Sequence, residues 1–192
     1  MLVVATNAGQ VEAQLAAGRL ACPGCGGRLS PWGFTGWRTV RDRDEVRRVR
    51  LRRSACTRCA TTHVLVPAWL TTRRRDAVEV IGAALAMAAR GAGHRRIAVK
   101  LGRPPETVRG WLRCARRNAQ PLRASGVRWW GALEPEPGPV RPAGSELADA
   151  VEAIMLAVRA WRLRFGRDGT GPWEHAQSLT GGLLSPRPAL PP

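Results

Sequence analysis

Two CxxC pairs, Cys22-Pro-Gly-Cys25 and Cys56-Thr-Arg-Cys59, constrain this chain more than any other feature. A CxxC turn sets two thiolates on one side of a tight loop. Two such turns facing each other make a tetrahedral sulfur cage suited to zinc, with metal–sulfur distances of about 2.3 Å. Gly24 and Gly26 let the backbone of the first turn bring its amides toward the sulfurs. The competing reading, two redox dithiols, lacks a thioredoxin-like strand–helix pattern around either pair. The expectation is one structural Zn²⁺ held by Cys22, Cys25, Cys56 and Cys59, with no open position for water. His63 is an alternative ligand, but four thiolates already complete a site, so it is read as packing against or hydrogen-bonding the ribbon. Cys114 is read as a small helix residue.

The text between and after the pairs is strand-like. Residues 36–41 form a first strand, Asp42-Arg43-Asp44-Glu45 a polar turn, 46–55 a return strand, and 62–66 a third strand ending at Pro67. Trp32 and Trp37 are read as ribbon core. Three strands and two knuckles predict a zinc ribbon over residues 21–70, a core so small that metal binding must supply much of its folding free energy.

A second pattern begins at His94 and runs HRRIAVKLGRPPETVRGWLR. Ile97, Ala98 and Leu101 share one helix face. Gly102 permits a left-handed turn, and Pro104 and Pro105 open the next helix. Val108, Trp111, Leu112 and Ala115 form the second helix's buried face. That spacing predicts a helix-turn-helix. A preceding helix over 74–90, presenting Val78, Ile81, Leu85 and Ala88, completes a three-helix domain over 71–125. At 100° per residue, the outward face of the second helix carries Glu106, Arg109, Gly110, Arg113 and Arg117. Arg109 and Arg113 are the candidates for guanine edges; Arg95, Arg96, Lys100, Arg103 and Arg117 are candidates for phosphates. A solvated helical hairpin is the plainer alternative.

Charge supports a polyanionic partner. The net charge is +17, and the whole excess lies between Arg28 and Arg123; residues 126–192 carry seven basic and seven acidic residues. A field so localised favours double-stranded DNA through counterion release. Lys100 is the one lysine, and Arg supplies every other basic charge. No apolar run is long enough for a membrane span, and the N-terminus lacks a signal peptide's basic and apolar regions, so a cytoplasmic, nucleoid-associated location is expected.

The remaining text reads as a short helix within residues 1–20, a Pro-rich linker over 126–145, a helical segment over 146–183 and a disordered tail over 184–192. Leu147, Val151, Ile154, Met155, Val158 and Trp161 make an apolar stripe on the C-terminal helix. Either the stripe folds back on the helix-turn-helix or it forms a homodimer. The fold class expected is α+β and multi-module: a three-stranded zinc ribbon, a three-helix domain and a C-terminal helix.

The segments AAGRLACPGCGGRLSPWG, RLRRSACTRCATTHVLVPAW and IAVKLGRPPETVRGWLR, within residues 15–118, resemble the DNA-binding N-terminal part of insertion-element transposases. They also resemble an uncharacterised family of short helix-turn-helix proteins from high-GC bacteria. The resemblance implies sequence-specific DNA binding, as a transcriptional regulator or in association with transposition. A full transposase carries an RNase H-like domain with three acidic metal ligands. About 65 residues with seven acids follow residue 125, too few for that fold, so no catalytic residue and no small-molecule substrate is assigned. The alternatives are a DNA-binding fragment or accessory subunit of a transposase or recombinase, and an RNA-binding ribbon protein.

Overall fold

The computed structural model describes residues 2–4, 7–166 and 168–182; the tail read over 184–192 lies outside them. The architecture is α+β, with six strands and seven helices among these residues. Strand β1 (Leu2–Val4) leads into helix α1 (Ala8–Ala16). Asn7 caps α1, its side-chain oxygen accepting from the Gly9 N–H at 2.8 Å, and the chain leaves the helix through Gly18 at φ 66°.

Five strands follow: β2 (Leu29–Phe34), β3 (Arg38–Arg41), β4 (Val46–Val49), β5 (Arg52–Cys56) and β6 (Thr62–Pro67). They form two sheets. One has the order β1-β6-β5-β2, with β1 parallel to β6 and the other pairs antiparallel. The other is the β3–β4 hairpin, in the register Arg38↔Val49 to Arg41↔Val46.

This corrects the sequence reading in two ways. The single return strand expected over 46–55 is two strands, broken where Leu51 turns into the main core and exchanges hydrogen bonds with Thr35. The strand that pairs with β5 is β2, not 36–41. Its text, LSPWGF, contains a proline and a glycine, which argue against a strand except at an edge or a bulge. Both conditions hold here: β2 is an edge strand, and its register shifts between Pro31 and Phe34.

Helices α2 (Val78–Ala89), α3 (His94–Leu101) and α4 (Pro105–Arg117) follow the expected order. Helix α2 starts four residues later than Arg74 because the end of β3 claims the backbone before it. The Arg41 N–H donates to the Arg75 carbonyl and the Ala77 N–H to the Arg41 carbonyl.

The stretch expected to begin a linker is instead helix α5 (Ala119–Leu133); residues 134–144 have no regular structure. Helices α6 (Glu146–Phe165) and α7 (Pro172–Thr180) complete the chain. Helix α5 lies along α6, and Gly126 allows it: a Cβ there would stand 2.6 Å from the Ala153 backbone carbon. The α6 stripe is covered from within the chain. Leu147, Ile154 and Val158 are buried in the main core and Val151, Met155 and Trp161 are half-buried against it, so the stripe is not a free dimer surface. Glu79 on α2 accepts the Trp173 N–H at 2.8 Å, fixing the start of α7.

Two apolar cores result. The larger joins α2 to α7 with Val40, Leu51, Val66 and Leu70 from the sheet side. The smaller gathers Val4, Val11, Leu15, Leu29 and Leu65 around Cys22 and Cys56. Among the described residues no helix is long and apolar enough to cross a membrane.

Candidate metal centre and basic surfaces

The two cysteine pairs sit on equivalent turns. In the first, the Cys22 N–H donates to Gly27 O at 2.7 Å and the Gly26 N–H to Cys22 O at 2.8 Å. In the second, the Cys56 N–H donates to Thr61 O at 2.9 Å and the Ala60 N–H to Cys56 O at 3.0 Å. Gly26 (φ 72°) and Ala60 (φ 57°) hold the same left-handed position. For Ala60 that conformation costs about 1–2 kcal/mol. The glycine that matters most to the cluster is Gly27, which the sequence reading passed over. A Cβ there would stand 3.0 Å from Cys56 Sγ and 2.7 Å from the Arg58 Cβ.

The turns bring all four sulfurs within 4.8 Å of one another. Cys22 Sγ is 3.8 Å from Cys59 Sγ, and Cys25 Sγ is 3.5 Å from Cys56 Sγ. A tetrahedron with metal–sulfur bonds of about 2.3 Å has edges of about 3.8 Å, so the donor set fits one ion. Cys56 Sγ also faces the N–H groups of Arg58 (3.4 Å) and Cys59 (3.5 Å).

Electrostatics point the same way. The Thr61 hydroxyl and N–H bring the Cys59 thiol down to about 6. The Gly27 N–H favours the Cys25 thiolate, but the Cys25 S–H donating to the neighbouring sulfurs, together with burial, outweighs it and pushes that thiol up to about 12. Sulfurs packed so closely compete for negative charge, and a bound cation removes the competition.

His63 lies on β6, buried, with Nε2 3.4 Å from Cys22 Sγ. It stands beside the cluster, in position to donate to a thiolate. Cys114 is half-buried in α4, 3.7 Å from the Asn118 amide nitrogen and far along the chain from the four-sulfur group.

Helices α3 and α4 meet at a turn through Gly102, at φ 60° and ψ 42°. Ile97, Ala98, Val108, Trp111, Leu112 and Ala115 are buried, as their spacing requires. Arg95, Arg96 and Lys100 on α3 and Glu106, Arg109, Arg113 and Arg117 on α4 are exposed, as is Arg116. Glu106 and Arg109 form an exposed ion pair at 3.4 Å. Gly110 lies among them, and a Cβ added there would meet no atom of the described residues within 4 Å.

Arg103 is the exception. Its Nε is 2.7 Å from Asp76 Oδ1 and its Nη2 donates to the Asp42 carbonyl at 2.6 Å, leaving the side chain 10% exposed. It is engaged inside the protein and is not available to a phosphate. Arg41 on β3 reaches the other oxygen of Asp76 at 2.8 Å.

The tryptophans expected in the ribbon core are outside it: Trp32 is 58% exposed and Trp37 61%. Their surroundings, PWGFTGW, interrupt the apolar residues with a proline and two glycines and show no strand alternation, and that is the signal that could have marked them as surface residues.

No curated protein and no solved structure is significantly similar to the chain. A family described as a domain of unknown function (DUF6431) matches residues 22–108, a span that takes in the sulfur cluster, the β3–β4 hairpin, α2, α3 and the start of α4.

Proposed function

We propose that this protein is a non-catalytic, sequence-specific binder of double-stranded DNA. In this reading Cys22, Cys25, Cys56 and Cys59 hold one structural Zn²⁺ in a zinc ribbon, and α3–α4 is a helix-turn-helix whose second helix enters the major groove. Zinc suits the site because it prefers tetrahedral thiolate ligands and brings no redox chemistry.

The observation that carries the reading is Gly110. A glycine inside a helix costs about 1 kcal/mol relative to alanine, and among the described residues nothing lies within 4 Å of where its Cβ would stand. Its neighbours on that face, Arg109 and Arg113, are exposed. A helix backbone kept bare between two arginines suits close approach to base edges, where arginine pairs with guanine O6 and N7. Arg95, Arg96, Lys100 and Arg117 supply phosphate contacts; Arg103 does not.

The test is binding of the full-length protein to a site obtained by selection from random DNA. Arg113→Ala should lower affinity for the selected site by about 1–3 kcal/mol and relax preference at one or two positions. Lys100→Ala should weaken selected and random DNA alike. With about five phosphates neutralised, log K should fall against log salt with a slope of about −4.5. Equal losses on selected and random DNA for both variants would remove Arg113 from base recognition, and a slope near zero would remove DNA as the partner.

A further inference from the structure

The arginines and aromatic rings on the sheet side form an ordered array. The Arg52 guanidinium lies 4.6 Å from the centre of the Phe34 ring, and Arg50 lies 4.7 Å from the same ring. Arg50 is also 5.6 Å from the Trp37 ring, which Arg48 approaches at 5.5 Å. The result is a ladder of three guanidiniums alternating with two rings, running across the open end of the β3–β4 hairpin and the edge strand β2.

The rings are not core residues that happen to show an edge. Phe34 is 47% exposed and Trp37 61%. Trp32 is also exposed and has no guanidinium over it among the described residues. The bulge between Pro31 and Phe34, with Gly33 at φ 94°, sets Trp32 and Phe34 outward; bulges commonly re-aim side chains in this way.

Nor are the charges neutralised. Arg52 pairs with Glu12 at 2.9 Å, but among the described residues Arg48 and Arg50 have no carboxylate partner. Beside Trp37 is a cleft of about 400 Å³ lined by Arg38, Thr39, Arg73, Arg74 and Arg75, with no acidic residue. The Arg38 Nε is buried there without a hydrogen-bond partner.

We infer that this face is a second nucleic-acid site, one that takes unpaired nucleotides: bases stack on Trp37, Phe34 and Trp32 while the backbone phosphates lie in the arginine cleft. An exposed guanidinium on a ring is a weaker contact than a base stacked on it, so a base displaces an arginine from the ladder and the freed arginine moves to a phosphate. An acidic protein surface would answer the charge but leave the rings in water. Duplex DNA would hide the bases that the rings need. The site does not depend on the reading of α4, because it uses none of its residues.

The experiment measures affinity of the full-length protein for fluorescent dT12, rU12 and an abasic 12-mer at one fixed salt concentration. dT12 or rU12 should bind about tenfold tighter than the abasic strand, whose phosphates are intact. Trp37→Ala should abolish that gap and Trp37→Phe should keep most of it. Tighter dT12 identifies DNA as the source of the strand, and tighter rU12 identifies RNA. Arg113→Ala should leave the gap unchanged. Trp37 is exposed, and a circular-dichroism spectrum and metal content equal to the parent's establish that each variant is folded. Should Trp37→Ala fail that check, Trp32→Ala, at an equally exposed ring, should narrow the gap in its place. Abasic and base-bearing strands binding alike would overturn the proposal. So would a gap that survives in the folded Trp37→Ala protein, or an Arg113→Ala variant that loses single strand and duplex together.

Discussion

Asp76 shows how far one residue's role can lie from its local text. In RRRDAV it reads as an acidic residue at the start of a helix. Folded, it is 1% exposed and binds two arginines, one 35 residues before it and one 27 residues after it. No periodicity carries that information, which is why Arg103 reads from sequence as a phosphate contact when it is an internal one. Removing one partner of a buried ion pair strands the others without counter-charge. Asp76→Ala should therefore lower stability by about 3–5 kcal/mol, read from urea unfolding. A loss under about 1 kcal/mol would mean that water reaches both guanidiniums. The cysteines are the opposite case. Their spacing alone predicted the cluster, because a CxxC turn is local and the chemistry of thiolates allows few alternatives. Gly27 escaped notice because its constraint is a sulfur on the other turn.

At the scale of elements, legibility followed periodicity. Helices α3 and α4 were visible because their apolar residues recur at helical steps and Gly102 marks the turn. Helix α5 was not, because QPLRASGVRWWGAL contains a proline and two glycines, and packing against α6 overrides that weak propensity. Strand β2 was hidden for a similar reason. Two glycines at helix centres separate packing from propensity. Gly126→Ala should destabilise the protein by about 1–3 kcal/mol, since its methyl group would be forced against the Ala153 backbone. Gly110→Ala meets open space and should stabilise by about 0.5–1 kcal/mol while weakening DNA binding. Thermal unfolding of the two variants checks the opposite signs; a stabilised Gly110→Ala protein that binds DNA as tightly as the parent would take that glycine out of the interface.

At the scale of the molecule, the sequence predicted separate modules, and the described residues form two cores with a shared wall. Val66 of β6 lies in the larger core and its neighbour Leu65 in the smaller. The smaller core has few apolar residues beside the four sulfurs, so an ion bound by the cluster would supply much of its stability. Stripping the protein with a strong chelator should speed amide exchange in β2, β5 and the two knuckles. Helices α5 and α6 should stay protected, and added Zn²⁺ should restore the original pattern. Equal loss of protection in α5 and α6 would show that the two cores unfold as one unit. This was not legible beforehand, because alternation within a strand says which face is buried but not which core it enters.

The carboxylate at Asp76 has a mechanical consequence. It clamps the turn end of the β3–β4 hairpin to the loop between α3 and α4, through Arg41 on one side and Arg103, which also holds Asp42, on the other. Four residue pairs away, at about 3.4 Å per residue, the open end of the hairpin carries Trp37 and Arg50. The hairpin is thereby held at both ends, at its turn by Asp76 and at its open end by Leu51 in the main core and its hydrogen bonds with Thr35, and the two ends are kept about 10–14 Å apart. A nucleic acid that engaged α3–α4 and the open end together would have to match that separation.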